Sequence, residues 1–334
     1  MKKNRLLPLF LIVILAFVLR FYILGEVPLG FHQDEVSQAY NSFSILTTAR
    51  DRYGQLLPIL FRSFGSYQPP VYTYLTPLPI FLFGNTIFAA RSTSALFGVL
   101  TVIITYFIVN SLVKQKYREN LAFLSSFIVV ISPWSIHFSR RVVEGNLGLF
   151  FFLLAFYFFF LSFKKIKYFL PACFVLGIST HAYYSERLIA VIFLPVFLVY
   201  FHTYFLKYKK WVLYGLLIFC LVLLPHVITI VSGAFFARFN QVGSSGDSSF
   251  FLEFGKHFFS YFSPKYLFSD VGNGLARVSP GLSVFYSWFF IPFLAGLYFV
   301  SKIIDKKYIK FLGIFTAVSL IPVSLTGDVF YPLR

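Results

Sequence analysis

Asp34 and Glu35 stand side by side in residues 26–40, EVPLGFHQDEVSQAY, just after the first apolar run. Only 12 of the 334 residues are acidic, and a carboxylate at a membrane surface is costly unless it is solvated, paired or used. The pair fits a general base or an electrostatic partner in an active site on one membrane face. It also fits a solvated turn after a helix. Two more carboxylates lie near the ends of apolar runs. Glu144 follows Arg140 and Arg141 in SPWSIHFSRRVVEGNLG, and Glu186 lies in THAYYSERL beside Tyr183, Tyr184 and Arg187. A helix starting at Val142 would hold Glu144 in its first turn, where the helix dipole favours an anion. Each site alone could be a charge at a helix start; three with interleaved arginines are more specific.

Metal chemistry has thinner support. His32, His137 and His181 fall on the same expected face, and His32 is two residues from Asp34. Imidazole and carboxylate are ordinary ligands, but there is no HExxH and no tight His pair at helical spacing. No cofactor is expected, a divalent metal ion being the one candidate. The chain has no G-x-x-x-x-G-K-[ST] phosphate loop and no GxSxG nucleophile elbow.

The elements that must position these residues are membrane helices. Hydrophobic residues make up 58% of the chain, charged residues 12%, and mean hydropathy is +0.77, against about 25% charged in a soluble protein. The fold class expected is an all-α polytopic membrane protein, with amphipathic surface helices in its first outer loop. A crossing takes roughly 20 apolar residues. By that measure there are about nine candidate spans, near 6–24, 86–112, 120–138, 146–163, 168–184, 188–206, 211–232, 284–301 and 309–325. Arg20 interrupts the first run where a signal-peptide cleavage site would be needed, so that run reads as an uncleaved span. Prolines at 69, 70, 77 and 79 in QPPVYTYLTPLPIFLF break any single spanning helix there. Cys173 and Cys220 both lie in apolar runs and are expected as free thiols.

The net charge of +17 does not describe a nucleic-acid face, because the cations form short clusters between apolar runs. Basic loops follow every second span, at Lys2, Lys3 and Arg5, then 114–118, 164–167, 207–210 and 302–310. That alternation places them in the cytoplasm, with the N-terminus inside. The cytoplasmic set is 14 Lys and 2 Arg; the other 13 cations are 11 Arg and 2 Lys. Arginine presents a planar fork that grips phosphate oxygens in two places. An outer face rich in Arg suits an anionic, phosphorylated substrate, although pairing and snorkelling account for single arginines equally well. The chain reads as one module over 1–334, with a first outer loop at 25–85 and a large outer loop at 233–283. The end at TGDVFYPLR, straight after an apolar run, is expected to lead into a missing C-terminal part.

Four stretches resemble the C superfamily of integral-membrane glycosyltransferases, in particular its protein-mannosyltransferase and aminoarabinose-transferase branch. They are the acidic pair Asp34–Glu35 in the first outer loop, QPPVYTYL, SRRVVEGNLGLFFFLLAFYFF and THAYYSERLIAVIFLPVF. The resemblance implies inverting transfer of a sugar from a polyprenyl-phosphate donor to a glycan, lipid or protein acceptor, at the outer face of a bacterial plasma membrane. By position it implies Asp34 as the catalytic carboxylate with Glu35 beside it, and Glu144 as the second acid. It places a lysine, a donor-phosphate contact, where this chain has Gln68. Arg62, Arg91, Arg140 and Arg187 are the substitutes, with Arg141, Tyr183, Tyr184 and Glu186 completing the expected binding set. The rivals are a transporter or flippase of lipid-linked saccharides, and a ligase or polymerase of lipid-linked glycans. A transporter would carry ionisable groups near mid-span, and here the acids cluster at span ends.

Overall fold

Apolar runs punctuated by proline and by short basic loops fold into a helical bundle. The computed structural model describes residues 6–237, 240, 250–269 and 283–326. The first helices are α1 (Leu6–Phe21) and α2 (Gln33–Thr48). A hairpin follows, β1 (Phe61–Ser63) and β2 (Ser66–Gln68), then α3 (Pro70–Leu75) and α4 (Pro77–Phe83). The bundle continues through α5 (Ile87–Leu112), α6 (Arg118–Ile131), α7 (Pro133–Ser139), α8 (Glu144–Ser162) and α9 (Phe169–Ala182). It ends with α10 (Tyr184–Tyr200), α11 (His202–Phe205), α12 (Lys209–Val231), α13 (Phe250–Ser260), α14 (Pro264–Phe268), α15 (Phe290–Ile303) and α16 (Lys306–Ser324).

Each of the nine apolar runs falls on one of these helices or on the α6–α7 pair. Among the described residues, four helices are long and apolar enough to cross a membrane: Ile87–Leu112, Glu144–Ser162, His202–Val231 and Lys306–Ser324. The α6–α7 pair would make a fifth, bent by 59°. By length, the helices therefore give four crossings, or five with the bent pair. The hairpin departs from the all-helical expectation. Residues 238–239, 241–249 and 270–282 of the large outer loop, the loop cations Lys2, Lys3 and Arg5, and the C-terminal 327–334 lie outside the described residues.

Proline and arginine together explain the bent pair. Pro133 has no N–H, so the carbonyl of Val129 loses its helical donor. Arg20, fully buried on α1, supplies one: its Nη2 donates to Val129 O at 3.2 Å and to Ser135 Oγ at 2.7 Å. Its Nε donates to Ser139 Oγ at 3.3 Å. Gly98 on α5 leaves room for this junction, since a Cβ there would lie 2.0 Å from Ser139 Oγ and 2.9 Å from Arg20 Nε.

Two ends of the bundle differ in chemistry. At one, Lys114 Nζ approaches Asp305 at 3.8 Å, and Tyr200 donates to Lys307 O at 2.9 Å, so lysine-bearing loops gather there. Phenylalanines fill the adjoining core: Phe156, Phe159, Phe169, Phe193, Phe197 and Phe311 are all buried. At the other end a small cluster of Ala39, Tyr72, Ala90, Val142, Leu147 and Ala182 packs α2, α3, α5, α8 and α9 beneath the carboxylates.

Candidate functional site

The first turn of α2 separates the two adjacent carboxylates. His32 is the N-cap: its Nδ1 accepts from Asp34 N at 3.3 Å, and Glu35 Oε2 accepts from His32 N at 3.0 Å. This reciprocal capping box holds the turn. Residues one apart on a helix point about 100° apart, so one carboxylate turns inward and the other does not.

Glu35 is the buried one, 4% exposed. Its Oε1 accepts from Arg91 Nε at 3.3 Å and from Val142 N at 2.9 Å, and its Oε2 takes Arg91 Nη2 at 3.5 Å. Arg91 is itself buried and donates to the carbonyls of Leu24, Pro28 and Gly30. Glu35 and Arg91 therefore clamp α2, α5, the loop 24–30 and the entry to α8. Asp34 keeps its carboxylate half-exposed, 3.6 Å from His32 Nδ1. A base needs a reachable lone pair, and of the two Asp34 has it.

Gln38 stands one turn beyond Asp34 on the same side of α2 and donates through Nε2 to Glu144 Oε1. Glu144 opens α8, so it is one side chain away from the Asp34 turn. Gln68, at the end of β2, reaches the same turn from below. Its Nε2 donates to Asp34 O at 3.2 Å, and its Oε1 accepts from Ser37 Oγ at 3.0 Å. Ser37 also meets Ser63 of β1 at 2.9 Å.

The starts of α8 and α10 interlock through glycine. A Cβ on Gly148 would lie 2.7 Å from Tyr183 Cβ and 3.2 Å from Glu186 Cγ, and the Tyr183 ring lies 3.6 Å from a Cβ on Gly145. Tyr184 donates its hydroxyl to Tyr67 O, tying α10 to the hairpin. Glu186 is buried, and its Oε2 has no hydrogen-bond partner. Arg187 is 7% exposed and lies between the rings of Tyr184 and Phe235, at 4.4 and 4.6 Å from their centroids. Its Nε donates to Thr180 O at 3.4 Å and its Nη1 to Phe235 O at 3.2 Å, while Nη2 meets no acceptor.

The other arginines divide by use. Arg140 spends its guanidinium on the carbonyls of Leu19, Tyr22 and Val27. Burial, then the nearby Arg91 cation, hold it below the ordinary arginine range. Arg62 is exposed on β1, 5.2 Å from the Tyr53 ring centroid. Arg141 is half-buried at the α7–α8 link. The histidines also part: His32 caps α2, His137 packs edge-on to Trp134 at 5.6 Å, and His181 stacks on His226 at 4.0 Å. Among the described residues no three His, Cys, Asp or Glu side chains come together as metal ligands.

Residues 67–228 match the family model described as dolichyl-phosphate-mannose-protein mannosyltransferase. A crystal structure of the Archaeoglobus fulgidus oligosaccharyltransferase, tethered to an acceptor peptide with an NVT sequon, superposes with a TM-score of 0.54 at 14% identity. The superposition covers 97% of this chain and 49% of that one. At that identity the likeness is one of fold. The chain spans about half the length of that oligosaccharyltransferase. A second structure of the archaeal enzyme, with Zn and sulfate, gives a TM-score of 0.43 at 15% identity over 95% of this chain and 48% of that one. No curated protein matches the chain in sequence. The family match takes in Gln68, Arg91, Glu144, Glu186 and Arg187, whereas Asp34 and Glu35 precede it.

Four residues at this end were not singled out from sequence: Gln38, Thr180, His226 and Phe235. One signal could have found His226. A histidine in the last turns of a 23-residue apolar helix is costly unless it is used or bonded.

Proposed function

We propose that the protein transfers a sugar from a polyprenyl-phosphate donor to an acceptor hydroxyl, with inversion, and that Asp34 is the general base. The observation that carries this reading is the split of the acidic pair. Glu35 is fully engaged by Arg91, Val142 and His32, and its neighbour Asp34 stays half-exposed beside it. The acceptor oxygen attacks the anomeric carbon, the bond from that carbon to the phosphate oxygen breaks, and the acceptor proton goes to the Asp34 carboxylate. The phosphate leaves already charged, so no group need protonate it and the step as written runs without a cofactor.

The donor phosphate needs a cation at the point where charge develops. Among the described residues, Arg187 is the buried arginine whose Nη2 has no acceptor, and in this reading it is the phosphate arm. Glu144, held by Gln38, orients the acceptor beside Asp34. The apolar helices lie in a bacterial plasma membrane with the N-terminus in the cytoplasm, and the carboxylate end faces outward. A lipid anchor then brings the phosphate to the depth of the helix starts that carry Glu144 and Arg187.

The test uses full-length protein in proteoliposomes, undecaprenyl phosphate carrying mannose, glucose or aminoarabinose as donors, and cell-envelope extract as acceptor. Asp34→Asn keeps the shape and removes nearly all basicity, so turnover should fall by roughly 100- to 10,000-fold, with donor binding retained. Near-normal turnover in Asp34→Asn would move the base to Glu144. A wild-type protein that transfers none of these sugars would overturn the reading as a whole.

A further inference from the structure

The end of α12 carries a histidine whose hydrogen bonding is settled by its neighbours. Thr180 Oγ1 lies 2.7 Å from Gly177 O and donates to it, which spends its only hydrogen. The 2.9 Å contact between Thr180 Oγ1 and His226 Nε2 must then be donated by the imidazole. His226 thus carries its hydrogen on Nε2, and its Nδ1 is a bare acceptor. That atom is buried and has no partner. His181 is fixed the same way, through its 2.8 Å contact to Val222 O. The two rings stack at 4.0 Å with 9° between their planes. Phe235 packs edge-on to His226 at 5.5 Å, so the plane of the ring and the direction of Nδ1 are set by three neighbours.

Phe235 also joins this histidine to Arg187. Its ring faces the guanidinium at 4.6 Å, and its carbonyl takes Nη1 at 3.2 Å. One aromatic side chain therefore stands between two unanswered polar atoms, a donor at Arg187 Nη2 and an acceptor at His226 Nδ1. Leaving either buried without a partner is unfavourable. A ligand that offers an acceptor beside a donor would satisfy both.

A sugar phosphate offers that combination: an anionic oxygen, and hydroxyls on the ring attached to it. We propose that His226 is a specificity-determining residue, whose Nδ1 accepts a hydrogen bond from a hydroxyl of the donor sugar while Arg187 Nη2 holds the adjoining phosphate. The inference rests on the donor reading given above. It adds a contact to the sugar, from α12, that separates a glycosylated lipid from the same lipid without its sugar.

The experiment measures binding to the full-length protein in nanodiscs. The probes are undecaprenyl phosphate alone, and undecaprenyl phosphate carrying mannose, glucose or aminoarabinose. Wild-type protein should bind at least one glycosylated lipid more tightly than the bare phosphate. His226→Phe keeps the ring and its stacking but has no acceptor, and should reduce that preference by about tenfold, with affinity for the bare lipid unchanged. His226→Asn keeps an acceptor close to the Nδ1 position and should retain most of the preference. The proposal is overturned if wild type binds all four lipids alike, if His226→Phe leaves the preference intact, or if it weakens the bare lipid equally. Wild-type protein that binds no undecaprenyl phosphate at all would remove the donor reading, and this inference with it.

Discussion

Arg91 and Arg187 begin from the same sequence signal. Each falls in the first two turns of an apolar helix, and each is more than nine-tenths buried, at 1% and 7% exposed. Their surroundings are opposite. Every nitrogen of Arg91 is bonded, to both oxygens of Glu35 and to three backbone carbonyls. Arg187 lies between two aromatic rings with Nη2 unanswered, and Glu186 beside it in sequence has an unanswered Oε2. A closed junction of this kind fixes helices in place, and a substrate could reach it only by breaking its bonds. An open one holds binding capacity that the protein itself does not use. On the function proposed above, the difference sorts the arginine-rich end into scaffold and site.

The sharpest way to break this comparison is at Arg91. Arg91→Ala would leave Glu35 buried without its cation, and losing one partner of a buried pair costs about 3–5 kcal/mol. Thermal unfolding in detergent should show a large loss of stability, and Arg91→Lys should rescue it only in part because lysine lacks the fork. Unchanged unfolding combined with lost donor affinity would place Arg91 in the site and reverse the assignment.

Arg187→Ala is the counterpart. Donor affinity should fall by about 1.5–3 kcal/mol, the scale of a hydrogen bond to a charged group, read with undecaprenyl phosphate. Unfolding should shift far less than for Arg91→Ala. If Arg187→Ala destabilises as strongly and binds the lipid normally, the open junction is a packing defect.

Much of this arrangement was legible in the chain. Each apolar run overlaps a helix, and within QPPVYTYLTPLP Pro70 opens α3 and Pro77 opens α4. A start at Val142 would put Glu144 in the first turn, and α8 begins two residues later, with Glu144 as its first residue. What sequence could not decide was direction. Asp34 and Glu35 are equivalent as letters. Only the capping box and the position of Arg91 turn Glu35 inward. The hairpin was missed because its strands are three residues long and its turn places Phe64 at φ 37° before Gly65 at φ 76°. Two-residue turns of this sort usually announce themselves with Asn or Asp before Gly. His226 was missed because its partners, Thr180 and Phe235, come from α9 and from the turn after α12.

A smaller effect sharpens the role of the helix interlock. Gly148→Ala would place a methyl 2.7 Å from Tyr183 Cβ, and that atom belongs to the helix entry, not to a flexible tip. Overpacking of this kind costs about 1–3 kcal/mol. Because the displaced residues lead directly into Glu186 and Arg187, donor affinity should fall with stability. An alanine variant with unchanged affinity would show that the start of α10 tolerates movement and is not a fixed frame for the site.

The smallest expected effect is at Gln68, and it separates two roles that the resemblance to membrane glycosyltransferases leaves together. A lysine at this position would act on the donor phosphate as a charge. Gln68 has no charge, and both ends of its amide are spent on the Asp34 turn, Nε2 on Asp34 O and Oε1 on Ser37 Oγ. Gln68→Leu removes two neutral hydrogen bonds of about 1 kcal/mol each, and Ser37 keeps its contact with Ser63, so the fold should hold. If Gln68 positions the base, kcat should fall a few-fold and KM for the glycosylated lipid should stay the same. If it touches the donor, KM should rise with kcat unchanged. Gln68→Lys adds the charge but must abandon the acceptor half of the amide, since an ammonium only donates. On the positioning reading it should therefore lower kcat as Gln68→Leu does. Faster turnover or tighter donor binding in Gln68→Lys would put the phosphate at the hairpin and take it away from Arg187.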